Sequence, residues 1–391
     1  MINPSINGWI DKFLLTENNK NTTETNLDIY YKNLRASGFL FGTIVAFDEK
    51  NNLLQTELSK VAYLKALWGI FKIKNNGNTN FVATCNLFFD DLNPHENNLL
   101  DKFLPKYSSA LTLEKNIDER ININENIFSK NFSQLVTNAF LFIDILAFQE
   151  YLIKGNIPKD YLKTTEEKII SIITIALKIK SKKSEHDDLL IKLFENSTRY
   201  TKFSYAKNLS IEDLNLDFFE QILQKKYILD LASLTLWSDG TLDNNEIYFH
   251  QKLGEKLGLP SAFINESIAQ INDFIFTNKK DIYYFNDLNP VKSFYDSTTK
   301  NVKKLIVRNQ KRLTKEISQS KELMQLLALS TTRNLDEIEK KKVKKQLLDI
   351  CKTIPSLTIF LIPGGSLLLP ILIKFIPQLL PSSFNENLEE D

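Results

Sequence analysis

Tyr227 to Ile271 reads YILDLASLTLWSDGTLDNNEIYFHQKLGEKLGLPSAFINESIAQI, and this stretch sets the fold class. Apolar residues recur at helical spacing through Ile228, Leu231, Leu234 and Leu236, the pattern of a helix with a buried face. The chain then turns at Ser238-Asp239-Gly240 and restarts helically after Leu242. Asp243 is placed to cap the second helix, because a short side-chain oxygen satisfies the free N–H groups of a first turn. Gly258-Leu259-Pro260 is placed to end it, glycine tolerating the left-handed exit and proline refusing to continue the helix. Helical spacing also runs through QLVTNAFLFIDILAFQEYLI (Gln134–Ile153) and EEKIISIITIALKIK (Glu166–Lys180). The first raises a membrane question, but Asn138, Asp144, Gln149 and Glu150 interrupt it, so a buried core helix is the better assignment. The predicted fold is mostly α, built of helical bundles.

Before Phe132 the pattern is less regular. GFLFGTIVAF (Gly38–Phe47) and NFVATCNLFF (Asn80–Phe89) read as short strands, a minor β content before residue 100, or equally as helix ends or packed coil. NNGNTN (Asn75–Asn80), NPHENN (Asn93–Asn98) and DLNPVKSFYDSTT (Asp287–Thr299) read as loops, the last as a linker. The chain divides into an N-terminal region of open fold (1–131), a helical region (132–222), a helix–turn–helix domain (223–280), a linker (281–300), basic amphipathic helices (301–352) and an apolar segment with an acidic tail (353–391).

Thr353 to Ile373 reads TIPSLTIFLIPGGSLLLPILI without a charge, and a helix needs about 20 such residues to cross a bilayer. Lys341, Lys342, Lys344, Lys345 and Lys352 precede it; Glu386, Glu389, Glu390 and Asp391 follow it. This asymmetry puts the bulk of the chain in the cytoplasm. Pro355, Pro363, Pro370 and the pair Gly364-Gly365 interrupt a straight helix. The alternatives are a span, a re-entrant or interfacial hairpin, and a buried hairpin of the folded domain, since broken helices at membrane depth need protein around their freed backbone groups.

The stretch NLDEIEKKKVKKQLLDICKTIPSLTIFLIPGGSLLLPILIKFIPQLLPSSFNEN (Asn334–Asn387) resembles the basic helix and membrane segment of the mitochondrial leucine-zipper, EF-hand-containing transmembrane (LETM-like) family. The prolines carry the resemblance: Pro355, Pro363, Pro370, Pro377 and Pro381, closing with LLPSSF. It implies a membrane segment in contact with lipid that forms homo-oligomers. Ribosome binding is not carried over, because the chain stops where the family continues into its ribosome-binding-like domain. Ser366 stands where animal members place a carboxylate, the group expected to handle a cation inside a membrane.

The acidic turn can be tested as an EF-hand by putting Gly240 at the sixth loop position. Asp239, Asp243 and Glu246 then take the fifth, ninth and twelfth positions, but Thr235 and Trp237 occupy the first and third, where oxygen ligands are required. The motif W-S-D-G-x-x-D-x-x-E instead resembles the tellurite-resistance (TerB-like) helical domain. That resemblance makes Asp239, Asp243 and Glu246 candidate ligands for a divalent cation, calcium or magnesium. The alternative is that Asp239 and Asp243 cap helices and Glu246 faces solvent.

With 49 basic and 48 acidic side chains, the whole chain carries no field that would draw nucleic acid. A local basic stretch, KKLIVRNQKRLTK (Lys303–Lys315), is an amphipathic helix suited to anionic headgroups or to a solvated face. Only Cys85 and Cys351 are present, which indicates neither a disulfide framework nor a cysteine metal site. MINPSINGWIDKFLL lacks a basic region followed by an apolar core, so it is not a secretory signal. His95, His186 and His250 form no catalytic pattern, and phosphate loops, nucleophile elbows and H-E-x-x-H helices are absent from the sequence. The expectation is a non-enzymatic protein at the bacterial inner membrane, of the LETM-related, biofilm-associated type, its TerB-like part sensing or binding an unidentified protein partner. The alternative is a cation- or proton-handling protein in ion homeostasis, acting through an oligomerised C-terminal segment with Lys374 as its only charge between Thr353 and Pro381.

Overall fold

A computed structural model describes residues 2–18, 26–42, 44–45, 53–74, 80–92, 109–127, 134–183, 187, 210–237, 242–278, 290–354, 357, 373 and 376. Among the described residues there are α-helices and one 3-10 turn, and no strand. The helices are α1 (Trp9–Asn18), α2 (Leu27–Ser37), α3 (Gln55–Lys74), α4 (Phe81–Leu92), α5 (Ser109–Ile127), α6 (Gln134–Lys154), α7 (Tyr161–Ile179), α8 (Ile222–Leu236), α9 (Asn244–Lys256), α10 (Ser261–Asn278), α11 (Pro290–Ser318), α12 (Lys321–Thr332) and α13 (Glu337–Thr353). The chain forms two compact units. The larger comprises Ile10–Phe47 with Ser59–Pro290; the smaller comprises Met1–Trp9, Asp48–Leu58 and Val291–Asp391.

Of the alternatives at Gly38–Phe47 and Asn80–Phe89, the strand is not found among the described residues. In NFVATCNLFF, Phe81, Val82, Cys85, Phe88 and Phe89 are buried while Leu87 is exposed, so the period is helical and overrides the β preference of the residues. The Asn80 side chain accepts from the Ala83 N–H at 3.1 Å and starts that helix. In GFLFG, Gly38 and Gly42 take left-handed backbone angles, φ 75° and 67°, on either side of a 3-10 turn at Phe39–Phe41. All three turn residues are buried, and the Val45 N–H donates to the Ser37 carbonyl at 3.1 Å to close the loop. Pro290 opens α11, so the helix begins within the stretch read as a linker; proline suits a first helical position, where its missing N–H has no partner to lose.

In the larger unit α8 is central, packing on α7, α9 and α10. It is buried nearly all round, from Leu223 to Leu236, as expected of a helix enclosed by others. Phe142 of α6 meets Tyr227 of α8 at 4.7 Å between ring centres, and Phe88 meets Phe148 at 4.9 Å. Gly254 lets α9 approach α10, since a Cβ there would stand 2.6 Å from the Ile264 side chain.

Two buried carboxylates lie inside this apolar packing. Asp230 on α8 accepts from Arg35 through both oxygens at 2.6 Å, from the Tyr31 hydroxyl at 2.6 Å and from the Ser267 hydroxyl at 2.7 Å. Asp144 on α6 accepts from Arg120 at 2.6 and 2.7 Å and from the Tyr63 hydroxyl at 3.0 Å. Burial opposes the charge on Arg35, but its bond and attraction to Asp230, together with Tyr31 and Glu266, outweigh that and raise its pKa.

The smaller unit has its own core, with Leu305, Ile306 and Leu313 of α11, Leu323 and Leu327 of α12, and Val343, Leu347 and Cys351 of α13. Glu57 is 1% exposed and accepts from Arg308 at 2.6 and 2.8 Å, from the Leu54 N–H at 2.8 Å and from the Ser5 hydroxyl. Burial would raise its pKa, but Arg308 and Ser5 hold it below the usual carboxylate range.

Removing one partner of a buried ion pair strands the other charge, at a cost of about 3–5 kcal/mol. Asp230→Ala is therefore expected to lower the stability of the larger unit by that amount in urea denaturation, and Asp230→Leu with Arg35→Met to recover part of it. Equal losses in the single and double variants would refute this account of the pair.

Candidate functional site

The acidic turn joins α8 to α9. Asp239 lies outside the described residues, as do Ser238 and Gly240. Asp243 is the N-cap of α9: its Oδ1 accepts from the Asn245 N–H at 2.8 Å and the Glu246 N–H at 2.9 Å. Glu246 returns the bond, its Oε2 accepting from the Asp243 N–H at 2.8 Å, which completes a reciprocal capping box. The other Glu246 oxygen accepts from the Ser181 N–H at 3.1 Å, and Glu246 is buried rather than solvent-facing. The Glu246 N–H, followed by other donors around the turn, holds the Asp243 carboxyl below its ordinary range.

Both described carboxylates of the trio are thus engaged with backbone donors. Among the described residues no group of three His, Cys, Asp or Glu is placed to hold a metal ion. Gly258 leaves α9 with a left-handed φ of 64°, and the Leu259 N–H closes on the Gly254 carbonyl at 3.0 Å, so the expected helix end is borne out.

One turn beyond Glu246 lies His250, 1% exposed, with no partner for Nε2. Burial pushes its pKa down to about 4, against the opposing pull of Asp230. Nothing local in the sequence marks this histidine, because burial is a tertiary property.

At the C-terminus, Pro355, Pro363, Gly364, Gly365, Ser366, Pro370, Lys374, Pro377 and Pro381 lie outside the described residues. Ile354, Leu357 and Ile376 are described and buried in the core with α11–α13, and Ile373 packs against it. Among the described residues no helix is long and apolar enough to cross a membrane. The helix leading into the run, α13, starts with a second reciprocal cap: Asp336 Oδ1 accepts from the Ile338 and Glu339 N–H groups at 2.8 Å, and the Asp336 N–H donates to Glu339 at 2.9 Å. Arg333 grips Glu339 at 2.6 and 2.8 Å, and with the Asp336 N–H holds that carboxyl down at about 2. Cys85 and Cys351 are both free and buried.

Residues 335–391 match the family model described as LETM1-like, RBD. That span includes α13, the apolar run and the acidic tail, close to the stretch on which the resemblance rests. The RBD of that description thus falls on the basic helix and the proline-broken apolar run themselves. No curated protein and no solved structure matches the chain.

Two stability effects follow from this region. Glu246→Ala leaves the Ser181 and Asp243 N–H groups without their acceptor, and is expected to cost about 1–3 kcal/mol in thermal or urea unfolding; an unchanged midpoint would show that the box is dispensable. Burial holds the folded His250 pKa at about 4 against an ordinary value of 6.5, so the unfolded chain takes up the proton first as pH falls. Stability is full above pH 6.5 and declines toward pH 4, by about 3 kcal/mol in all. His250→Gln should remove that increment from the pH profile, and an unaltered profile would contradict it.

Proposed function

We propose that the chain is a non-enzymatic, membrane-anchored protein of the LETM-like type, working at the bacterial inner membrane with its bulk on the cytoplasmic side. The observation that carries this reading is the LETM1-like match over residues 335–391. It coincides with an uncharged run of bilayer length, bounded by lysines before and acids after. On this reading the helix–turn–helix part at 223–280 is a TerB-like sensing or partner-binding domain, and the protein serves an envelope function of the biofilm-associated kind.

Membranes carrying the full chain would be washed with high salt and then with alkaline carbonate. The expected outcome is a carbonate-resistant pellet, and release of most of the protein when Ile362→Asp sets a charge in the middle of the run, a change worth about 3 kcal/mol against insertion. Complete release of the unaltered chain by salt or carbonate would overturn anchoring and leave the run as core.

A further inference from the structure

We propose that the outward face of α13 binds the anionic headgroups of a lipid bilayer. Val343, Leu347 and Cys351 are buried at four-residue intervals and fix which side of the helix meets the core. Helical geometry puts Ile338, Lys341, Lys345 and Lys352 on the opposite side, and all four are exposed, Ile338 at 69%. Lys352 pairs with Asp349 at 2.7 Å, whereas Lys341 and Lys345 enter no ion pair among the described residues.

Charge complementarity selects the occupant. Residues 301–352 hold 14 Lys and Arg against six Asp and Glu, a local excess within a chain of net charge +1. Exposed lysines are hydrated point charges on flexible stems, suited to a diffuse negative surface rather than to a two-pronged bond with one carboxylate. Each contributes roughly fivefold to partitioning onto an anionic bilayer when it lies at the surface. The face also ends at the right place, since the uncharged run begins at Thr353, next to Lys352. Ile338 offers the apolar contact of a helix lying in the interface. The outward positions carry no aromatic side chain, whereas single-stranded nucleic acid is commonly held by aromatic stacking. The inference rests on the membrane reading above and adds the lipid class and the residues that choose it.

The full chain would be co-sedimented with vesicles of phosphatidylcholine alone and with vesicles in which a minority of the lipid is phosphatidylglycerol. The expected result is a preference for the anionic vesicles that weakens with added salt. It should fall about 25-fold in Lys341→Gln with Lys345→Gln, two lysines at roughly fivefold each, and return in Lys341→Arg with Lys345→Arg. Circular dichroism would check that each variant keeps its helices. Equal partitioning onto both vesicle types, untouched by the glutamine pair, overturns the inference; if that chain still resists carbonate, the anchoring reading stands alone. An anionic preference without carbonate resistance supports the inference and removes the anchor. Binding of an RNA oligonucleotide that the glutamine pair abolishes, with no preference among vesicles, overturns it in favour of nucleic acid.

Discussion

A carboxylate with no exposed surface, held through both oxygens by one guanidinium, is the constraint on which the larger unit depends. Desolvating two charges costs several kcal/mol per ion, and mutual attraction offsets this only when geometry is good and the remaining lone pairs are filled. At Asp230 both conditions hold, because Tyr31 and Ser267 donate to the oxygens that Arg35 grips. Asp144 repeats the arrangement with Arg120 and Tyr63, and Glu57 repeats it in the smaller unit with Arg308, Leu54 and Ser5. In Asp230 with Arg35, and in Glu57 with Arg308, the partners stand 195 and 251 residues apart. An apolar helix could rotate or slide among several packings of similar energy; one bearing a buried carboxylate must meet its arginine in one register. Such pairs therefore restrict the arrangements open to these helices, whatever their net contribution to stability.

This separates what was legible in the sequence from what was not. Periodicity is local, so α6, α7, α8, α9 and α10 can be read from their own residues. In α6 Asp144 reads as an interruption of an apolar run, and this rightly excludes a membrane span for that helix. Its partner could not be read, because nothing local to Asp144 points to Arg120. Asn80–Phe89 is open between strand and helix because its β-favouring residues pull against their own spacing; Phe81, Cys85, Phe88 and Phe89 lie on one helical face, and the spacing wins. At Gly38–Gly42 the two glycines allow a left-handed backbone on both sides of a turn, a freedom that composition suggests but does not locate.

The D-x-x-E pattern shows a second limit of reading by motif. Asp243 with Glu246 and Asp336 with Glu339 have the same spacing, and in both the Asp caps its helix while the Glu returns a bond to the Asp N–H. A ligand set and a capping box draw on the same residue types, because each needs compact oxygen acceptors at a chain turn. Burial and donors distinguish them: both Glu246 oxygens accept from backbone N–H groups. In α13 the cap has a further consequence, fixing the start of the helix and hence the phase of every lysine after it.

The apolar run is the harder case, since a protein core and a bilayer interior reward the same side chains. Ile354 continues the buried row of Val343, Leu347 and Cys351, so the run opens as an extension of the core face of α13. A membrane segment that begins in this way must keep its lysines out of the hydrocarbon, and on α13 Lys341, Lys345 and Lys352 already point away from the buried row. The same phase would serve a solvated helix packed on a soluble core, where lysines also face outward. What distinguishes the two is therefore the surface that the lysines meet: in water they are interchangeable, at a bilayer their sign and position choose the lipid.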